Sequence, residues 1–154
     1  MPKEIEKKFL VIDNSFKKQA RNSFFRQGYL SVDRDRTVRV RTYENKGFIT
    51  IKGKTRSYTR EEFEYEIPVA EAEEMLMNLC IKPIIEKIRY FTNYMGNEWV
   101  IDEFIGENSG LVVAEIELEC EEQEFAIPEW LGREVTFDKR YANSNLILKP
   151  YSQW

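Results

Sequence analysis

The sequence contains no histidine. Histidine is the commonest general base, the usual partner of serine and cysteine nucleophiles, and the most frequent zinc ligand, so its absence argues against all three kinds of site. A metal site in this chain would have to rely on carboxylates, which suit Mg²⁺, Mn²⁺ or Ca²⁺. The chemistry must therefore come from the 27 acidic and 23 basic residues.

Cysteine and long apolar runs are also scarce. Cys80 and Cys120 are the two cysteines, and neither belongs to a Cys-x-x-Cys pair, so we predict two buried free thiols. No apolar run approaches the roughly 20 residues that a membrane-spanning helix needs. The start of the chain is too charged for a signal peptide. We therefore expect a cytoplasmic protein without a membrane partner.

A basic excess is missing as well, since the formal net charge is -4. Duplex-binding modules are usually basic, so we expect no nucleic-acid partner. The chain has 154 residues, of which 32% are charged and 14% aromatic. This length and composition are typical of one globular domain, which we place over residues 1–154.

Alternation of apolar and charged residues is the pattern that the sequence does contain. It predicts about eight strands, several joined by hairpin turns, which imply antiparallel pairing in an α+β fold. A sheet of this length must curl or close. The predicted strands cover residues 3–12, 27–32, 37–43, 48–53, 60–67, 84–94, 98–104 and 111–119. The predicted helices cover residues 16–25, 70–79 and 142–149, with a short helical turn over 127–132.

The charged faces of these strands carry doublets of like charge. Examples are Arg39 and Arg41, or Glu62 and Glu64, whose members lie roughly 6–7 Å apart on one face. An ordinary solvated sheet face with Lys–Glu pairs is the plainest explanation. Acidic doublets, however, suit a divalent cation, and basic doublets suit phosphates. Both kinds together favour a metal–polyphosphate complex.

The order of these motifs resembles a known family. The chain begins with Glu4-Ile5-Glu6-Lys7-Lys8, which has the form Glu-x-Glu-x-Lys of the CYTH superfamily, the triphosphate tunnel metalloenzymes. The resemblance covers nearly the whole chain and implies an eight-stranded antiparallel β-barrel, a tunnel with a charged interior and a few flanking helices. The further motifs that match, in order, are Arg39-Val40-Arg41, Lys52-Gly53-Lys54, Arg60-x-Glu62-x-Glu64, Lys87-Ile88-Arg89, Asp102, Glu115-Ile116-Glu117 and Asp138-Lys139-Arg140-Tyr141.

The resemblance also implies roles for individual residues, with Mg²⁺ or Mn²⁺ as the cofactor. Glu4, Glu6 and Lys8 are the predicted catalytic residues. The carboxylates predicted to bind metal are those of Glu4, Glu6, Glu62, Glu64, Asp102, Glu115 and Glu117. The bases predicted to bind phosphates are Lys8, Arg39, Arg41, Lys52, Lys54, Lys87, Arg89 and Arg140.

The compact chain is most similar to stand-alone inorganic triphosphatases, which implies hydrolysis of tripolyphosphate to pyrophosphate and phosphate. One alternative is a class IV-type adenylate cyclase, or a nucleoside or thiamine triphosphatase, with Tyr29, Phe48 or Tyr141 beside the organic group. A second alternative is a polyphosphate-binding module without catalysis. The apolar outer faces of the strands leave room for a homodimer. The sequence leaves open whether residues 142–154 plug one end of the tunnel.

Overall fold

The computed structural model describes residues 3–154 of the chain. This part contains nine strands, two α-helices and four short 3₁₀ helices. The α-helices are α1 (Val69–Asn78) and α2 (Asn143–Leu148). The 3₁₀ helices are Ser15–Gln19, Gly106–Asn108, Lys139–Tyr141 and Tyr151–Gln153. The strands are β1 (Lys3–Val11), β2 (Arg21–Asp33), β3 (Arg36–Tyr43), β4 (Lys46–Gly53), β5 (Thr59–Ile67), β6 (Ile85–Tyr94), β7 (Asn97–Ile105), β8 (Val112–Glu117) and β9 (Leu131–Glu134).

Eight of these strands close into an antiparallel barrel, as predicted. The order around the barrel is β5-β4-β3-β2-β6-β7-β8-β1, and a pairing between β1 and β5 closes the ring. On one edge of β1, residues 3–5 pair with β5 and residues 9–11 lie against the short strand β9. The other edge pairs with β8. Strand β1 therefore holds the seam of the barrel.

An aromatic layer packs against the outer face of the barrel wall. Trp99, which is fully buried, lies 5.8 Å from Phe9, 5.7 Å from Phe125 and 5.5 Å from Trp130 between ring centroids, each in an edge-to-face arrangement. Phe16 extends the layer to Tyr90. Such rings bury large apolar areas, so this layer supplies much of the burial that stabilises the wall.

Helix α1 covers the outer face of β3 and β4, close to the predicted span. Its buried residues Ala72 and Leu76 pack on Val40. The helix approaches the sheet so closely that a Cβ atom at Gly47 would lie 2.7 Å from the Cβ of Ala72. Glycine is therefore required at this position for the contact.

Helix α2 closes one end of the barrel. The sequence leaves open whether residues 142–154 do so. Leu146 and Ile147 are buried in a cluster with Phe104 and Val113. Phe104 lies on the interior face, opposite Lys87 across the β6–β7 pair. The C-terminal segment thus plugs the interior at that end.

Two local predictions are wrong, and a third, the helical turn over 127–132, is correct only in part. The helix over 16–25 is a 3₁₀ helix at Ser15–Gln19 followed by strand β2. The spacing of Phe16, Ala20 and Phe24 imitates a helical face, but Phe24 points outward and is 45% exposed. The helical turn over 127–132 is a single turn that leads into β9. Cys120 is exposed rather than buried, because β8 ends at residue 117. None of the helices within residues 3–154 is both long and apolar enough to cross a membrane.

Candidate active site

A cavity of about 500 Å³ enters the barrel from the end opposite α2. It continues into a narrower space of about 80 Å³ beside the first residues of α2. Seven of the eight barrel strands contribute to the wide part, and almost all of its lining is charged. The residues that line it are Glu4, Glu6, Arg39, Arg41, Lys52, Glu62, Glu64, Arg89, Glu98, Val100, Glu115 and Glu117.

Strand register places acids beside bases in this cavity. Side chains directly opposite each other on neighbouring strands share a face. Lys8 of β1 lies opposite Glu115 of β8, Lys52 of β4 opposite Glu62 of β5, and Arg89 of β6 opposite Asp102 of β7. Because the barrel closes, these pairs all face one enclosed space.

Ion pairs join the bases and acids at the wide end. The Nζ of Lys52 lies 2.8 Å and 3.1 Å from the two carboxylate oxygens of Glu4. Arg39 and Arg41 both approach one oxygen of Glu64, at 3.6 Å and 3.2 Å. The hydroxyl of Thr50 donates to the same oxygen at 2.9 Å. The guanidinium groups of both arginines are therefore oriented by one carboxylate.

Asp102 organises the bases toward the narrow end. Its carboxylate is almost fully buried, and it accepts bonds from Lys87 Nζ at 2.8 Å and from Arg89 at 2.8 and 2.9 Å. Lys87 also donates to the side-chain oxygen of Asn143, at the start of α2, at 3.1 Å. Gln27 donates to that same oxygen at 3.0 Å. Asp102 lies behind Lys87 and Arg89 rather than on the cavity surface.

The pKa shifts show where negative charge is in excess. Burial and the neighbouring Glu115 raise the pKa of Glu6 well above its ordinary value. Burial and a hydrogen bond with Glu4 raise the pKa of Glu62 to about 7. Burial and Glu4 also raise the pKa of Glu117. Burial opposes ionisation of Glu4 too, but Lys52 holds its pKa well below the usual range. Three carboxyl groups thus face the cavity without enough positive charge beside them.

Asp102 and Lys87 show the opposite balance at the basic end. Burial opposes ionisation of Asp102, but Arg89 and Lys87 hold the pKa of its carboxyl well below the usual range. Burial lowers the pKa of Lys87 to about 7 despite the attraction of Asp102. The partners therefore outweigh the cost of enclosing the charge of Asp102, but they do not outweigh that cost for Lys87.

The donor set fits a hard divalent cation. Carboxylate oxygens are the ligands of Mg²⁺ and Mn²⁺, and the under-compensated groups Glu6, Glu62 and Glu117 all face the cavity. Among the residues that the structure describes, no three acidic or cysteine side chains already form a metal cluster. Mg²⁺ typically takes one or two carboxylates together with waters and substrate phosphates, so a preformed cluster is not required.

The bases are equally suited to phosphates. The buried Nε atoms of Arg39 and Arg41 have no hydrogen-bond partner within residues 3–154. Each guanidinium therefore has one enclosed donor that no described residue satisfies. Arginine can bind a phosphate through two parallel bonds, and lysine supplies a point charge.

Twelve of the fifteen predicted site residues line the two parts of the cavity. Of the other three, Asp102 lies behind the bases. Lys54 follows the end of β4 and faces a separate surface cleft. Arg140 is exposed, 2.7 Å from Asp138 and over the ring of Trp154. Neither Lys54 nor Arg140 lines the cavity in the described part of the chain.

Several residues of the site are absent from the predicted set. Thr50 lies in phase with Lys52 on β4, so the strand pattern alone could have identified it. Glu98 is likewise in phase with Asp102 on β7. Asn143 carries no signal, because its position depends on how α2 enters the barrel. Tyr29 is the one predicted aromatic residue that lines the cavity.

Comparison with known proteins adds four relations. A family profile described as the CYTH domain matches residues 2–147. An inorganic triphosphatase of Acetivibrio thermocellus is 53% identical over 154 residues, covering 100% of this chain and 99% of that protein. An inorganic triphosphatase of Nitrosomonas europaea is 37% identical over 150 residues, covering 94% and 97%. The crystal structure of an inorganic triphosphatase at 35% identity superposes with a TM-score of 0.70 over 97% of both chains.

Proposed function

The chain belongs to the CYTH domain family, and from that membership we propose that it hydrolyses inorganic tripolyphosphate to pyrophosphate and phosphate with Mg²⁺ or Mn²⁺. The relatives named inorganic triphosphatase match along nearly their whole length, which supports the same reaction here. The observation that carries the proposal is an enclosed cavity in which acids and bases alternate around one space.

Pairing within the cavity explains why a metal would be needed. Seven basic residues line the cavity, and all of them except Arg60 lie within 4.0 Å of a carboxylate among residues 3–154. A triphosphate that enters alone must compete with those carboxylates and is repelled by the under-compensated ones. A divalent cation bound by Glu4, Glu6, Glu62, Glu64, Glu115 or Glu117 would neutralise the acids, so that the bases become available to phosphate oxygens.

The bound cation would supply charge neutralisation and activation of water in this site. The bases of the chain position the substrate: Arg39 and Arg41 at the wide end, and Lys8, Lys87 and Arg89 toward α2. Their charges stabilise the oxygens of the transferring phosphoryl group. Asp102 is a positioning residue, since it holds Lys87 and Arg89 rather than facing the substrate.

In the reaction, the oxygen of a water molecule forms a bond to a terminal phosphorus. The bond from that phosphorus to its bridging oxygen breaks, and pyrophosphate leaves with the electron pair. We assign the water's proton to a carboxylate oxygen of Glu6, which lines both the wide and the narrow part of the cavity. Glutamate is a suitable general base in a chain without histidine.

The test is phosphate release from tripolyphosphate with Mg²⁺ or Mn²⁺, measured beside ATP and thiamine triphosphate. We expect metal-dependent release from tripolyphosphate that Glu6→Gln abolishes. Glu61→Gln, an exposed position on the outward phase of β5, makes the same charge change and should retain activity.

Two other results of this assay would support a different function. Turnover confined to ATP or thiamine triphosphate would favour the organic triphosphates, with Tyr29 as the aromatic residue at the site. Binding of tripolyphosphate without any release would favour a polyphosphate-binding module. The homodimer stays a prediction, to be tested by light scattering in solution.

A further inference from the structure

A second concave space lies outside the narrow end of the cavity, and we call it the outer cleft. It has a volume of about 450 Å³ and is bordered by the β2–β3 turn, the end of β4, the segment 136–139 and the start of α2. Besides Lys8, which also lines the cavity, four basic residues line it: Arg34, Lys54, Arg60 and Lys139. It shares Lys8, Thr37, Arg60, Ala142 and Ser144 with the narrow part of the cavity, so the two spaces adjoin.

The charges of the outer cleft are not compensated as those of the cavity are. Lys8 lies 3.8 Å from Glu115, but none of the other four basic residues has a carboxylate within 4.0 Å among residues 3–154. Of the two acids that line it, Asp138 is held by Arg140 at 2.7 Å, which leaves Asp35. The cleft therefore has a positive potential and no need for a cation to neutralise it.

Neutral hydrogen bonds fix one of these bases in place. Arg60 donates from Nε to the carbonyl oxygen of Gly53 at 3.1 Å and from Nη2 to the hydroxyl of Thr37 at 3.3 Å. Because both acceptors are uncharged, the guanidinium is oriented while its positive charge remains available. Thr55, Ser57 and Ser144 also line the cleft, and their hydroxyl groups can add hydrogen-bond donors beside its apolar surface.

We propose that the outer cleft is a second anion-binding site, which takes inorganic pyrophosphate or phosphate without a divalent cation. Its volume is large enough for a small anion, and its unpaired bases can bind one directly. The choice of these anions rests on the proposed function, of which they are the products. The cleft adjoins the narrow part of the cavity at Lys8 and Arg60, which places it close to where these anions would form.

Calorimetric titration of the intact protein with pyrophosphate, and separately with phosphate and tripolyphosphate, tests the proposal in buffer with EDTA and no divalent metal. We expect binding of pyrophosphate that weakens as NaCl is raised, since Arg34, Lys54 and Lys139 are exposed to solvent. The variant Arg34→Gln/Lys139→Gln should weaken it by at least about fivefold, because two charge-assisted contacts are lost.

The matched control is Lys18→Gln/Lys46→Gln, which removes the same net charge at exposed positions. Lys46 begins β4, at the other end of the strand from Lys54, and neither control residue lines the cleft. This control should bind pyrophosphate within about twofold of the unmodified protein, since distant exposed charges are screened.

Three results would overturn the proposal: no metal-free binding, equal weakening in both double variants, or binding that survives in the cleft variant and is lost in Arg41→Gln. Tighter metal-free binding of tripolyphosphate than of pyrophosphate would make the cleft a site for arriving substrate and would overturn its assignment to product. Because binding is measured without metal, it is independent of phosphate release. A chain that binds pyrophosphate here but fails to hydrolyse tripolyphosphate would refute only the proposed function.

Discussion

The two faces of strand β7 are held in contrasting ways. On the outer face, Trp99 packs among aromatic rings and is fully buried. On the inner face, Asp102 is as deeply buried, but two basic side chains surround it. The aromatic contacts of Trp99 have no competing partner in solution. The ion pairs of Asp102, in contrast, can be replaced by contacts between the same bases and a charged ligand.

The outer face therefore mainly stabilises the fold, whereas the inner face mainly prepares the site to bind a ligand. Burying paired charges contributes little net stability, because desolvation offsets the attraction. The outer layer must therefore compensate for an interior that is kept charged for a ligand. Substitutions on the two faces should consequently differ in what they change first, and four of them test this.

Trp99→Ala is expected to have the largest effect. It removes the centre of the aromatic layer and leaves a cavity, which typically costs about 3–5 kcal/mol of the free energy of unfolding. Urea denaturation followed by circular dichroism measures this loss. Trp154→Ala, at a ring that is 38% exposed, is the control and should have a much smaller effect. Equal losses would mean that the outer layer is not the main source of stability.

Asp102→Asn tests the inner face of the same strand. It leaves Lys87 and Arg89 enclosed without their common counter-charge, which we expect to cost about 3 kcal/mol of unfolding free energy. Thermal melting of the variant beside Asp138→Asn compares this buried pair with the exposed pair formed by Arg140. If the two variants melt together, the interior charges are better hydrated than their burial indicates.

Glu64→Gln removes the negative charge that is paired with Arg39 and Arg41 at the wide end of the cavity. It frees Arg39 and Arg41 from their shared carboxylate, so tripolyphosphate should bind about tenfold more tightly in EDTA, since each such contact is charge-assisted. Metal-dependent turnover should fall in the same variant, because a candidate metal ligand is lost. Glu66→Gln lies two residues further along β5 and outside the cavity lining, so it should change neither quantity. Unchanged metal-free binding in Glu64→Gln would contradict the role given to pairing.

Asn143→Ala should have the smallest effect. Its side-chain oxygen orients Lys87 and Gln27, and its loss should raise KM for tripolyphosphate by about threefold, as expected for one hydrogen bond to a charged group in a partly solvated place. Asn143→Ser, which keeps an oxygen acceptor, should partly restore KM. A fall in kcat at unchanged KM would instead indicate that Lys87 acts mainly in the transition state.

Much of the barrel and its lining could be predicted from alternation, because inner and outer residues of a closed sheet differ in kind. The prediction succeeded where charged and apolar residues alternate strictly, as from Arg39 to Arg41. It failed at β2, where Phe24 points out and Phe25 points in, stacked on Tyr43 at 4.2 Å. With large apolar residues on both faces, the period of two is lost and a helix is imitated.

The remaining parts of the site could not be predicted because they depend on long-range placement. Lys52 and Lys54 have the spacing of a same-face doublet, but the strand ends at Gly53, so the second lysine faces the outer cleft. Asn143 reaches Lys87 only because α2 enters the barrel. The spacing of residues along the chain predicts neither the end of β4 nor the entry of α2 into the barrel.

The position of β1 at the seam has a consequence for how the chain folds. Residues 3–11, which are synthesised before their partners, pair with β8 at residues 112–117 and with β5, so their contacts are among the most distant in sequence. Pairings of this kind slow folding. At ribosomal rates of about 5–20 residues per second, the first strand waits several seconds before its last partner emerges. Glu4 and Glu6 therefore have no site until the ring closes, and an unfinished chain should remain catalytically silent.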